Sequence, residues 1–366
     1  MHTSPAFRVE SVTVVLAQTP VDAAVESVTA AVRTLAAVDY GTVLPRAGER
    51  VLRISLLISA GVFLANLAVS LGAVEKVAGV SRYLTGPANL PSEVGTAILT
   101  TAASTTAGYG MLAEFRESGR LSDRATLVAV TVNTFFGFAQ HVFTFYVPVI
   151  IPILGRETGV LYVATRGGIA LGITLTGVLA GALLLSERDV DESVAVETEA
   201  ATDGGGDDSP DGRETRVSQL RAAVADAWES TGGKLRRIVP RLAAVYLLVS
   251  VLAAADAFRS LSTAAGPLAE VAGLPAAAVP AIVVFAFDTT AGAATVAPLI
   301  GDALTVDQAV VTMLLGGIVT FAVSTFKRSI PFQYGIWGAS FGSTVILLNT
   351  TLKVVFISGA VVWFLV

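Results

Sequence analysis

Residues 90–108, LPSEVGTAILTTAASTTAG, and residues 274–292, LPAAAVPAIVVFAFDTTAG, carry one pattern: LP, twelve residues, then [SD]TTAG. The second copy lies 184 residues after the first, with no gap inside it. At an offset of 183, Phe138, Ala139, Phe143, Pro148 and Gly155 meet Phe321, Ala322, Phe326, Pro331 and Gly338, a second shared pattern written FA-x3-F-x4-P-x6-G. Two patterns of uncommon residues, in the same order at nearly one offset, indicate an internal duplication. A duplicated chain builds one plan twice, so any account of one half has to serve the other.

The solvent of that plan follows from its composition. The 366 residues are 53% hydrophobic and 14% charged, against about 25% charged in ordinary soluble domains, and the mean hydropathy is +0.71. We expect an all-α polytopic protein of the cell membrane. Charge gathers at 187–214, which holds 11 of the 29 acidic residues together with Gly, Ser and Pro. Such a stretch cannot bury enough apolar surface to order itself. Residues 187–216 are therefore expected to be an acidic disordered linker joining a first repeat, 51–186, to a second, 217–366. The net charge of −5 then describes mostly the linker, and nucleic acid is not an expected partner. The absence of cysteine excludes disulfides, thiolate metal sites and a cysteine nucleophile.

Residues 1–50 form an N-terminal segment. VTVVLA at 12–17 lacks the basic flank and the length of a cleavable signal. Val21, Val25, Val28, Val32 and Leu35 make an apolar stripe with Asp22, Glu26 and Arg33 between them, which suits an amphipathic helix lying on the protein or the membrane surface.

Each half then runs through the same pieces: an apolar span (51–74 and 238–257), a short charged segment suited to the interface (75–86 and 259–272), the LP-x12-[SD]TTAG segment, a long apolar stretch (122–155 and 304–338) and a last span (158–186 and 343–366). A straight 34-residue helix would reach about 50 Å, whereas the hydrocarbon core is about 30 Å thick. Pro148 and Pro331 each remove a backbone donor inside the long stretches, so breaks are expected there. The LP-x12-[SD]TTAG segments fit either one span of about 23 residues or a re-entrant hairpin of two half-helices meeting at [SD]TTAG. We favour the hairpin, because Gly108, Tyr109, Gly110 and Gly292 follow the hydroxyl run, and unwound backbone at membrane depth needs protein or water around it.

With hairpins each half crosses three times, which inverts the second copy and makes six crossings in all. Inverted repeats with interrupted helices meeting near the midplane are a common build of secondary transporters. The side bearing Lys76, Arg82, Arg116, Arg120, Arg124 and the basic residues from Arg188 to Arg241 holds 13 Lys and Arg, against 7 on the other side. The positive-inside rule then puts the linker in the cytoplasm and both termini outside.

Polar residues inside apolar sequence mark candidate sites, because an intramembrane charge costs at least about 2.5–3.5 kcal/mol and so has a partner or a task. Asp288 stands at the second hairpin tip, followed by Thr289 and Thr290, with Lys327 and Arg328 before Pro331. The first-half counterparts are Ser104, Thr105 and Thr106 at the tip and Gln140, His141 and Thr144 before Pro148. The bland alternative has Asp288 simply pairing with Lys327 or Arg328. Glu93 and Lys353 lie near expected span ends and are read as snorkelling. Gly168, Gly172, Gly177 and Gly181 suit a close helix contact, and His141 is read as a packing residue more readily than as a proton carrier. TTAGYG at 105–110 has the look of a carbonyl-lined filter, but the second copy reads TTAGAA, which does not.

The duplicated LP-x12-[SD]TTAG and FA-x3-F-x4-P-x6-G segments around an acidic linker resemble the gate-domain, or nucleoside recognition, family of membrane proteins. The plan is similar to the transport core of concentrative nucleoside transporters over residues 51–366. The resemblance implies that hairpins and broken helices contact solute and coupling ion, at Ser104, Thr105, Thr106, Gln140, His141, Asp288, Thr289, Thr290 and Lys327. The first tip lacks the acidic and amide residues of that family, and Lys327 beside Arg328 would suit an anionic solute. The expected function is secondary transport of a nucleoside or related small polar or anionic solute, without a cofactor and with Na+ or H+ as the coupling ion left open. The lipid bilayer and the solute are the expected partners, and a homo-oligomer is compatible with the sequence. The alternative is a non-transporting membrane recognition or scaffold protein. A ferrous-iron gate would call for soft ligands that this chain lacks. No nucleophile, metal or phosphate motif points to an enzyme.

Overall fold

The computed structural model describes residues 29, 32–70, 82–191, 193, 212–255, 273–325 and 329–366. Most of the 21–38 stretch, the interfacial segments at 75–81 and 259–272, most of the linker, and Lys327 and Arg328 lie outside them. Among the described residues the protein is all-helical, without a β-strand. The main helices are α1 (Tyr40–Ser70), α2 (Ser92–Ala103), α3 (Thr105–Glu117), α4 (Asp123–Val132), α5 (Thr134–His141), α6 (Arg156–Leu184), α7 (Gly212–Ala254), α8 (Ala278–Phe287), α9 (Thr289–Val296), α10 (Val306–Ser324) and α11 (Ile330–Leu365). Three stretches among the described residues are long and apolar enough to cross a membrane: Asp123–Leu154, Arg156–Leu184 and Ile330–Leu365. Two boundaries differ from expectation. α1 begins at Tyr40, before residue 51, and α7 begins at Gly212, inside the stretch expected as linker. α7 opens with RETRVSQLRAAVADAW, whose alternation of apolar and charged residues sustains a helix that acidic composition alone obscures.

The backbone repeats as the sequence does. Every described residue with positive φ belongs to a pair at the repeat offset or within two residues of it: Asn89 (52°) with Gly273 (62°), Gly119 (83°) with Gly301 (94°), and Gly155 (84°) with Gly338 (73°). Helix starts recur too. Ser122 accepts from the Ala125 N–H to begin α4, and Thr305 accepts from the Gln308 N–H to begin α10, each satisfying a donor that no helical carbonyl can reach.

α2 and α3 lie side by side, not end to end. At Ser104 the chain turns extended (φ −142°, ψ 107°), and at Asp288 it does the same (φ −152°, ψ 119°). A Cβ on Gly108 would fall 2.6 Å from both the Ala97 carbonyl and the Thr101 nitrogen, and one on Gly292 would fall 2.6 Å from the Phe285 Cα. Residues 97 and 108 of a continuous helix would stand about 16 Å apart. Each LP-x12-[SD]TTAG segment is therefore a pair of short helices in backbone contact.

The first long stretch breaks at its glycine, not at its proline. Residues Val142–Ile150 form a π-helix that contains Pro148, and the chain leaves the helical region only at Gly155 (φ 84°, ψ 165°). The wider π turn tolerates a ring and a missing donor that an α turn would not. In the second stretch α10 ends at Ser324 and a new helix, α11, begins at Ile330 with Pro331 in its first turn, where proline is at ease; a further break follows at Gly338 (φ 73°, ψ 167°).

Two apolar cores hold these pieces. One joins Val51, Ile54, Ile58 and Val62 of α1 to Leu242 and Tyr246 of α7, and both to α8–α10 and the Tyr146–Leu154 segment. The other joins the first hairpin and α4 to Trp337, Phe341 and Val345 of α11. Each core draws on both halves of the chain.

Outside the spans, the foot of the first hairpin is tied down by charge. Arg120 Nη2 donates to Glu93 Oε1 at 2.7 Å, Arg120 Nη1 donates to the Asp191 carbonyl, and Ser122 Oγ donates to Asp189 Oδ1 at 2.8 Å. Glu93 therefore pairs across the hairpin foot instead of snorkelling. Its carboxyl is held below its usual range by its own backbone N–H and by Arg120; that of Asp189 is held there by the Ser186 N–H and the hydroxyls of Ser122 and Ser186. A depressed carboxylate adds stability that is complete above its unfolded value, about 4, and disappears as pH falls through the lower folded value. Thermal unfolding in detergent is expected to be level from pH 7 to about 5 and to fall below about pH 4. The double variant Glu93→Gln, Asp189→Asn should start lower and fall less. An equal acid loss in that variant would place the effect elsewhere.

Candidate functional site

The hairpin tips are built by capping. Ser104 Oγ accepts from the Ala107 N–H at 3.3 Å, and Asp288 Oδ1 accepts from the Ala291 N–H at 2.8 Å. Both residues are N-caps, and a carboxylate there also meets the positive end of the helix dipole. Removing a cap costs about 1 kcal/mol. Asp288→Ala is thus expected to lower stability by at least about that much, and Ser104→Ala by less, both measured by thermal unfolding.

Beside the first tip lies a cavity of about 310 Å³. Thr105 and Tyr109 of α3 line it, with Asn133, α5, Tyr146, Arg166 and Ile169 of α6, and Asn349 and Lys353 of α11. Thr105 Oγ1 donates to Gln140 Oε1 at 2.8 Å, fixing the tip to α5. His141 lines the cavity while its Nδ1 lies 2.9 Å from the Gly137 carbonyl. Of the residues singled out from sequence, Thr105 and His141 line the cavity, and Gln140 is bonded to Thr105 without lining it. Ser104 serves as a cap, Thr106 is exposed, and Asp288, Thr289 and Thr290 stand at the other tip and do not line this cavity. Thr144 Oγ1 is committed to the Gln140 carbonyl. TTAG at 105–108 is helical, so its carbonyls point along α3 and line no filter.

The wall is formed by a kink and a crossing. α4 and α5 part at Asn133, where Phe135 N–H loses its helical acceptor. Thr174 Oγ1 takes that hydrogen bond at 3.0 Å and donates to the Val132 carbonyl at 2.9 Å. Asn133 Nδ2 donates to Thr101 Oγ1 at 2.9 Å, while Asn133 Oδ1 is buried with no partner. Thr101 Oγ1 already donates to the Ala97 carbonyl, which fixes the amide orientation. α6 and α11 cross closely, with Gly172 seated on the Phe356 ring. Gly177 packs on Thr131 and Val132, and Gly181 on Ala88, whereas Gly168 has no such neighbour.

Arg166 and Lys353 were not anticipated as site residues. Arg166 Nη2 donates to the Tyr146 hydroxyl at 3.4 Å, and Lys353 Nζ lies 5.8 Å above the centre of the Phe321 ring. Lys353 does not snorkel, because α11 runs on to Leu365, roughly 18 Å further at 1.5 Å per residue. Arg166 lies ten residues inside an apolar helix, the same signal that drew attention to Asp288. At the offset that relates Gly155 to Gly338, Arg166 matches Asn349 and Ala170 matches Lys353, and all four line the cavity.

No protein-family model and no solved structure matches the chain. It is 25% identical over 311 residues to the uncharacterized protein MJ0871 of Methanocaldococcus jannaschii, an alignment that covers 82% of this chain and 89% of that protein. It is 22% identical over 306 residues to the uncharacterized protein MJ0880 of the same organism, covering 82% and 93%.

Proposed function

We propose that this chain is a multi-pass membrane transporter of gate-domain type. Its two halves are inverted repeats, each LP-x12-[SD]TTAG hairpin re-enters the membrane, and the cavity beside Thr105 receives a nucleoside or related small polar or anionic solute. The observation that carries this reading is the place of the cavity. It lies where repeat-equivalent turns of α6 and α11 cross, 166 with 349 and 170 with 353, next to a capped hairpin tip. A pocket on the relation axis of two repeats opens to either side when one repeat rocks against the other. The resemblance to nucleoside transporters supports the same plan, and the helices long and apolar enough to cross a membrane agree with it.

The absence of cysteine makes the test direct. Thr105→Cys and Asn349→Cys, each made singly in oriented vesicles, should react with a membrane-impermeant thiol reagent added from either face. Reaction from one face only, or from neither, would remove the transporter reading and favour a static recognition protein.

A further inference from the structure

We infer that the cavity takes an oxyanion: a carboxylate or phosphate group on a small solute. This rests on reading the cavity as the solute site, and narrows what enters it.

Arg166 and Lys353 are the formal charges among the described lining residues. Neither has a carboxylate partner among the described residues. Tyr146 gives Arg166 an oxygen and Phe321 gives Lys353 a ring face, but neither contact neutralises a charge. Two like charges inside apolar helices are costly together unless a counter-charge joins them. An anion between them supplies it, with the guanidinium offering a planar fork suited to carboxylate or phosphate and the ammonium a second point charge. A neutral nucleoside leaves both cations uncompensated, and a metal cation is repelled.

The volume, about 310 Å³, falls at the small end of ligand pockets, roughly 300–1,000 Å³.

The experiment is thermal unfolding of the detergent-purified chain at fixed ionic strength with inorganic phosphate, lactate, propionate, uridine or phosphatidylglycerol. Phosphate, lactate and propionate should raise the melting temperature saturably, and uridine should not act. Arg166→Gln and Lys353→Gln should each weaken the phosphate response at least tenfold while leaving the ligand-free melting temperature unchanged or higher, because an uncompensated charge has gone. Independently of those variants, phosphate should protect Thr105→Cys from a thiol reagent. No response to any soluble oxyanion, or a response unaltered in both variants, overturns the proposal. So does a shift by phosphatidylglycerol alone, which would assign the cations to a lipid headgroup. Reactivity from both faces without an oxyanion response would remove the anion and keep the transporter; oxyanion binding with both cysteines closed would do the reverse.

Discussion

Gly108→Val should lower the stability of the chain by about 3 kcal/mol, the upper part of the usual range for overpacking. The added Cβ would fall on Thr101 Oγ1, and 2.6 Å from the Ala97 carbonyl and the Thr101 nitrogen. Two of the three obstacles are backbone atoms of the facing arm, so no rotamer change relieves them. Thr101 cannot swing away cheaply either, since it accepts from Asn133 and donates to Ala97. The damage therefore reaches the cavity wall at Asn133. Gly292→Val meets the Phe285 Cα and Cβ in the second hairpin and should cost a similar amount. Gly110→Val is the control: nothing lies within 4 Å of that position, and valine is no worse than glycine in a helix. Thermal unfolding of the three variants decides the matter, and equal values for Gly108→Val and Gly110→Val would mean the arms do not touch.

Gly155→Ala and Gly338→Ala should each cost about 1–3 kcal/mol, by a different route. At both positions the space that a Cβ would enter is open, with no atom within 4 Å, so crowding plays no part. The cost is in the backbone, because φ near 80° with ψ near 165° is a region that only glycine enters freely. A chain that escapes the strain redirects the helix after it, and those helices are α6 and the distal part of α11, which carry Arg166 and Lys353. Stability and phosphate response should fall together in both variants, and by like amounts, as the two sites share one conformation. Gly335→Ala, in the helical part of α11 with open space around it, should be neutral or slightly stabilising.

The repeated patterns were legible in the sequence because their marks were uncommon residues, and several of these stand where the backbone departs from a helix. Leu90-Pro91 and Leu274-Pro275 open the hairpins, and Gly155 and Gly338 are breaks. What sequence assigned to Pro148 belonged to the glycine seven residues on, because proline advertises a missing donor while glycine advertises nothing until its φ is known. The site was legible in part. Thr105, Gln140 and His141 follow from repeat logic, but Arg166 and Lys353 sit at positions whose repeat partners, Asn349 and Ala170, are uncharged. Comparison of the halves rewards likeness, and the cavity draws its charge from unlikeness. Asn133 could not be found by pattern at all, since its significance is one oxygen without a partner.

The caps at Ser104 and Asp288 have a mechanical consequence. Each spends its side chain on the arm that follows, and Gly108 and Gly292 hold the arms at contact. A hairpin tied at its turn and closed along its length resists scissoring, so each pair of short helices is one stiff block. Its ends are marked by backbone that only a few residues tolerate: Asn89 and Gly119 bound the first block and Gly273 and Gly301 the second, each with positive φ.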